Sequence, residues 1–313
     1  MFGDYLKKLR LSLGLTQSEL TAKLNLADEE FSSLDVVTLS RWERGKTKPT
    51  LAKCFRVLRC LQNDLSDFYD LLPIPKKENI INDYLELRFN SSLAILASSS
   101  YKPLNSQQAQ LIIKRPLLVR DDDPILLSLQ SLYNNVSYLT KELLEINLYD
   151  YQENRRCLCH KFIKLDGEIT GHSFSFVYNN EHFDTNVRSK TFHLDLTKSV
   201  NYTANKKLAL FDYLRYSNNP ATCEYMLGSQ FKILVKHSNL IKYYHYVDLP
   251  EGAIHLERLG FNKVAFDVES DSGKFKLANR SFNRCLYEID SATLLSKPDI
   301  IALIKSTSKD INN

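Results

Sequence analysis

The sequence predicts a multidomain protein, an all-α segment over residues 1–75 followed by an α+β domain over residues 76–313. Three observations carry that expectation. The chain has 313 residues, which corresponds to two domains at roughly 100–200 residues each. Its first seventy residues place apolar side chains at helical spacing in short stretches separated by turn residues, whereas later stretches mix helical spacing with the two-residue alternation of strands. Between them, residues 71–78 hold two prolines and three charges, the composition of a connection.

Each N-terminal helix has its own local signal. Leu6, Leu9 and Leu13 lie on one face of a first helix that stops at Gly14. Thr16 and Glu19 are spaced as a capping box for a second helix over 17–24, with Asn25 as its terminator. Asp35 caps a third helix over 36–44, ended by Gly45. A fourth starts near Thr50 with Leu51, Cys54 or Phe55, Leu58 and Leu61 on one face, and a short fifth covers 65–72.

Charge is concentrated in this region. The whole chain has a net charge of +4, from 41 basic and 37 acidic residues. Residues 1–59 hold eleven of the basic and seven of the acidic ones, so the entire excess lies there. Residues 41–59 carry seven cations against one anion, a footprint suited to a phosphate-facing surface.

Farther along, residues 111–119 are expected as a strand, and 124–133 and 138–148 as helices. Residues 161–165 and 168–178 are expected as two strands joined at Asp166-Gly167, a dipeptide that suits a type I′ turn. Phe174, Phe176 and Tyr178 then share one face. Phe192, Leu194 and Leu196 alternate again. Leu208, Phe211 and Leu214 suggest a helix, 231–235 a buried strand, and 254–259 a helix ended by Gly260. Residues 264–268 are expected as a strand that turns at Ser272-Gly273.

Composition excludes several classes. With 25% charged and 43% hydrophobic residues, the chain is neither disordered nor collagen-like. No stretch approaches about eighteen consecutive apolar residues, and the first ten are amphipathic rather than a signal peptide. A cytoplasmic protein with no membrane partner is expected. Six cysteines without a small-domain spacing fit reduced thiols. Cys157-Leu-Cys159-His160 is not a convincing zinc motif, because on a strand the two thiols share one face and His160 the other. No metal and no cofactor is therefore expected.

The run Leu13-Gly-Leu-Thr-Gln-Ser-Glu-Leu20, followed by Thr38-Leu-Ser-Arg-Trp-Glu-Arg-Gly-Lys-Thr-Lys-Pro49, resembles the helix-turn-helix of the xenobiotic-response-element regulators, the family of phage repressor and Cro domains. The resemblance covers about the first seventy residues and implies a helix-turn-helix DNA-binding domain, with double-stranded DNA as partner and a homodimer on two half-sites. A helix about 10–12 Å across fits the major groove. Carried over position by position, the resemblance puts Val36, Val37 and Arg41 at base contacts and Gln17, Arg44, Lys46 and Lys48 at phosphates. It makes Arg10 and Glu43 a structural ion pair, and it puts Leu39 and Trp42 on the packed side.

Two departures stand out. Thr21 occupies a position usually held by alanine, and the stretch from Asn25 to Asp35 is about eight residues longer than the usual turn of about three or four. The acidic segment 26–34 is expected to loop out, away from the DNA.

The second part resembles the GNAT acetyltransferases in its element order and in Leu256-Glu-Arg-Leu-Gly-Phe261. Those enzymes cradle pyrophosphate on a glycine-rich turn before their third helix. The stretch aligned with it here, 200–207, has no glycine, and Leu256 stands where a catalytic tyrosine is common. The resemblance therefore implies a sensor or dimerisation scaffold. A sequence-specific DNA-binding transcription regulator, its second domain serving effector sensing or dimerisation, is the leading expectation, not an enzyme. The alternatives are a DNA-tethered N-acetyltransferase and an antitoxin or phage-type regulator that binds another protein. The 17 tyrosines and 16 phenylalanines suit a core, a ligand pocket or a dimer face.

Overall fold

A computed structural model describes residues 1–62, 64–90, 126, 142–163, 169–189, 194–267 and 269–309. The N-terminal helices are α1 (Phe2–Ser12), α2 (Gln17–Ala27), α3 (Val36–Glu43), α4 (Leu51–Arg59) and α5 (Ser66–Leu71). Gly14 sits at φ +70 just past α1, where any Cβ would strain the backbone. The Thr16 hydroxyl accepts from Glu19 N at 3.2 Å, and the Glu19 carboxylate accepts from Thr16 N at 2.7 Å, so the capping box forms as its spacing predicts. Thr16→Ala removes that cap and should cost about 1 kcal/mol, read by urea denaturation.

The α2 helix runs to Ala27, past the terminator expected at Asn25. The long connection does not loop out freely. Asp28 caps a 3-10 turn, Glu29–Phe31, and Phe31 is fully buried with Leu6, Leu20, Leu24, Leu39, Trp42 and Val57. Asn25 Nδ2 reaches the carbonyls of Ser32 and Leu34 at 3.4 and 3.3 Å. One aromatic side chain thus anchors the insertion to the core it was expected to leave.

The mixed sheet has β1 (Cys157–Ile163), β2 (Ile169–Asn179), β3 (Leu208–Ser217), β4 (Leu240–Val247), β5 (Asn262–Phe266) and β8 (Cys285–Asp290), in the order β1-β2-β3-β4-β8-β5. Strands β6 (Phe275–Leu277) and β7 (Arg280–Phe282) form a separate hairpin. Only β3 and β4 pair in parallel within the large sheet, and the connection between them carries the long helix α10 (Pro220–Lys236). The other helices are α6 (Ile80–Asn90), α7 (Glu142–Glu145), α8 (Leu148–Glu153), α9 (Asn180–Val187), α11 (Pro250–Leu259), α12 (Ser291–Leu295) and α13 (Pro298–Lys309). An antiparallel meander, a helix, a parallel strand, a helix and a strand pair follow one another as in the order that prompted the acetyltransferase comparison.

Strands β1 and β2 pair antiparallel, with Cys159 opposite Phe174, and Phe174, Phe176 and Tyr178 share one buried cluster. The Asp166-Gly167 turn and the strand expected at 111–119 fall outside the described residues, as does the helix expected at 124–133 apart from Leu126, which is helical. Of the helix expected over 138–148, the described part is interrupted after α7 at Glu145, and α8 starts anew from an Asn147 cap. Leu196 begins a 3-10 turn rather than continuing a strand.

Two assignments are exchanged. The expected helix at Leu208, Phe211 and Leu214 is strand β3, and the expected strand at 231–235 is the end of helix α10. Most apolar side chains of both segments are buried, and a short apolar run carries no period that separates the two states. Helix α11 ends at Gly260, whose φ of +95 is the left-handed cap anticipated there.

The helical domain and the sheet share a core. Phe55, Leu58, Leu65, Phe68 and Tyr69 belong to one cluster with Leu234, Val235, Leu240 and Leu294. Leu65 N donates to Val235 O at 2.9 Å. Arg59 donates to Ser238 O, Leu240 O and Leu234 O at 2.7, 3.0 and 2.8 Å, satisfying carbonyls at the end of α10 and the start of β4. Arg56 pairs with Asp290 at 3.2 Å. The segment 71–78 therefore joins two parts already in contact. Among the described residues, no helix is long and apolar enough to cross a membrane.

Candidate nucleic-acid interface

Helix α3 has one face in the core and one in solvent. Leu39 and Trp42 are buried on the inner side. On the outer side Val36 is 36% and Val37 56% exposed, and Arg41, Arg44, Lys46 and Lys48 are exposed with them. Asp35 caps the helix by accepting from Thr38 N. The hydrogen bonds from the Thr38 backbone N–H and hydroxyl hold the Asp35 carboxyl below its ordinary value. Arg44 Nε folds back onto Ser40 O at 3.2 Å. Among the described residues, Arg41, Lys46 and Lys48 have no acidic partner within ion-pair distance. Exposed valines and cations on and just after α3 suit contact with base edges and phosphates.

The orientation of α3 is set from behind by a buried ion pair. Arg10 Nε and Nη2 donate to the Glu43 carboxylate at 2.6 and 3.0 Å, and Arg10 Nη1 donates to Leu15 O at 2.7 Å. Gln17 Nε2 adds a third bond to Glu43 at 2.7 Å. Burial pushes the Glu43 carboxyl up, but the hydrogen bonds from Arg10 and Gln17 outweigh it and hold it below its usual range. Bonding to Glu43 raises the Arg10 guanidinium in turn. The amide of Gln17 thus faces inward, and what it leaves toward solvent is the backbone at the first position of α2.

Two of the three acidic side chains of the insertion pair inside the domain. Asp28 and Glu30 pair with Arg56 at 3.4 and 2.9 Å, and Glu30 lies 3.7 Å from Lys53. These partners lie on α4, so the insertion leaves the outer face of α3 uncovered.

A second polar group, which inspection of the sequence did not single out, lies where β3 and β4 part. Their parallel pairing ends at Asp212 opposite His245. Asp212, fully buried, accepts Arg215 Nη1 at 3.0 Å and lies 2.9 Å from His245 Nδ1. Tyr243 and Ser175 hydroxyls donate to it at 3.1 and 3.3 Å. Burial alone would raise the Asp212 carboxyl; Arg215 and His245 hold it well below the carboxylate range. No short motif marks this cluster, because its members come from three strands.

The turn preceding α10 also differs from expectation. Residues 200–207 lead into strand β3, and the turn before α10 is Ser217-Asn-Asn-Pro220. It too lacks glycine, and Asn219 Oδ1 caps Thr222 N at 2.8 Å. Cys157 and Cys159 lie side by side, with sulfurs 3.3 Å apart, while His160 bonds Ser173 at 3.1 Å. Among the described residues, no group of three or more His, Cys, Asp or Glu is placed to hold a metal ion.

Five short helices, a capping box ahead of the second and a solvent-facing third define the N-terminal part as a helix-turn-helix domain. Residues 6–68 match the helix-turn-helix family model. No curated protein matches the chain. Among solved structures, mutant forms of the spermidine/spermine N-acetyltransferase SpeG from Vibrio cholerae are similar at 12% identity, over 54% of this chain and 93% of theirs, with TM-score 0.32. The spermidine N-acetyltransferase from Vibrio cholerae in complex with CoA and spermine is similar at 13% identity, over 71% and 96%, with TM-score 0.29. The CoA-dependent acyl-homoserine lactone synthase MesI is similar at 12% identity, over 59% and 91%, with TM-score 0.24.

Proposed function

We propose that this chain is a cytoplasmic, sequence-specific transcription regulator that binds double-stranded DNA as a homodimer, its C-terminal domain serving effector sensing or dimerisation. The carrying observation is the outer face of α3, where Val36, Val37 and Arg41 are exposed while Leu39 and Trp42 anchor the helix. In this reading Arg41 takes a guanine edge and Val36 or Val37 a thymine methyl. Arg44, Lys46 and Lys48 hold phosphates. Gln17 contributes its backbone N–H at the positive end of α2, since its amide is engaged with Glu43.

The roles separate in titration. Arg41→Ala should lose about 1–3 kcal/mol of discrimination at one base pair. Lys48→Ala should weaken all duplexes alike and reduce the slope of log affinity against log salt by about one. Fluorescence anisotropy on specific and random duplexes measures both, and equal losses for the two variants on every duplex would overturn the assignment.

The sheet order favours one other reading, an acetyltransferase carried on DNA. Against it, the turn before α10 lacks glycine and caps itself through Asn219. Calorimetry with acetyl-CoA decides, since stoichiometric heat would favour the enzyme.

A further inference from the structure

The extra length between α2 and α3 reaches the C-terminal domain. In the sheet, Leu208 at the start of β3 lies opposite Leu240 at the start of β4, and Lys242 lies opposite Asp290 at the end of β8. Three strand ends therefore share one end of the sheet, where Arg59 already holds Leu240 O. Arg56, on α4, divides its guanidinium among three carboxylates: Nε lies 2.9 Å from Glu30, Nη1 3.4 Å from Asp28 and Nη2 3.2 Å from Asp290. Two of these acids belong to the connection and the third closes β8. Lys207, the residue before β3, donates to Ala27 O, at the end of α2, at 3.0 Å. A cation there satisfies a carbonyl that the helix leaves open. An isolated surface pair holds little, but one planar guanidinium engaged at all three nitrogens by two domains fixes a geometry.

Only a short run of chain separates this clasp from α3. Asp28 caps the turn Glu29–Phe31, and Phe31 is buried in one cluster with Leu39 and Trp42 of α3. Asn25 Nδ2 holds the carbonyls of Ser32 and Leu34, and Asp35 then caps α3 itself. We propose that the connection is a coupling element and that Arg56 and Lys207 are positioning residues for the DNA contact: through them the strand ends of the C-terminal domain set where α3 stands. The consequence at DNA rests on the regulator reading; the clasp itself does not. By linkage the effect runs both ways, so a duplex that holds α3 in place also steadies the end of β8.

The test compares the full chain with its double variant D290N/K207M. Asparagine keeps an Oδ1 to cap α12, as Asp290 does for Thr293 N at 2.9 Å, but loses the charge that Arg56 meets. Methionine keeps the stem of Lys207 without its donor. One anion and one cation go together, so the net charge stays at +4 and the salt dependence of DNA binding should not move. Without DNA, hydrogen exchange over residues 26–35 should become about fivefold faster or more, with β2 at its original rate. With DNA, affinity for a duplex selected by the unchanged protein should fall about fivefold or more while affinity for random duplexes holds. The selected duplex should also slow exchange over residues 286–293 in the unchanged protein. Exchange over 26–35 that does not change, equal acceleration in β2, unchanged affinity for the selected duplex, or no slowing over 286–293 would each overturn the proposal. If no duplex binds at all, the regulator reading fails, and exchange over 26–35 alone decides the clasp.

Discussion

Arg10→Ala should destabilise the helix-turn-helix domain by about 3–5 kcal/mol. Glu43, with its side chain 2% exposed, then keeps Gln17 as its one donor and carries a buried charge without a counterion. Against a typical total of about 5–15 kcal/mol, the change removes a large share of the folding energy. The readout is clean because the single tryptophan of the chain, Trp42, is buried in that domain, so its fluorescence in urea follows the DNA-binding part. Arg10→Lys should recover part of the loss, since an ammonium restores charge but not the paired N–H geometry. A cost under about 1 kcal/mol for Arg10→Ala would mean that water reaches Glu43 and that the pair does not set α3.

The sheet should unfold on mild acidification. Burial depresses His160 from 6.5 to about 4 and His172 from 6.5 to about 3. Between these values and 6.5 the unfolded chain binds more protons than the folded one, so stability is full above 6.5 and falls as pH drops. With both histidines contributing, the slope approaches about 3 kcal/mol per pH unit. Asp212 acts in the same direction only below its ordinary value of 3.8, where the unfolded carboxyl begins to protonate. Melting followed by circular dichroism from neutral pH downward should show a steep loss. His172→Phe, in a site already lined by Phe174 and Tyr216, should flatten the slope by about half. Stability independent of pH in this window would contradict the burial of both rings.

The N-terminal helices were legible because their signals are local. Thr16 with Glu19, Gly14 past the first helix and Asp35 before the third each act within a few residues. The insertion was half legible. Its acidity pointed outward, yet its single aromatic, Phe31, was the sign that part of it turns in. Strand β3 and the end of α10 were exchanged because a short, mostly apolar run lacks the period that separates strand from helix. The Arg59 contacts and the cluster at Asp212 were not legible, since their partners lie far apart in sequence: Arg59 meets Leu234 and Ser238, and Asp212 meets His245 and Tyr243. Such pairings are fixed by the sheet order, and no spacing along the chain announces them.

Selection of binding sites from random duplexes by the full-length protein tests most directly whether α3 enters a groove. The account predicts enrichment of a two-fold symmetric sequence with a guanine in each half-site, and loss of preference at that guanine when selection is repeated with Arg41→Ala. No enrichment over random sequence, or an enriched sequence unchanged by substitutions at Val36, Val37 and Arg41, would contradict it.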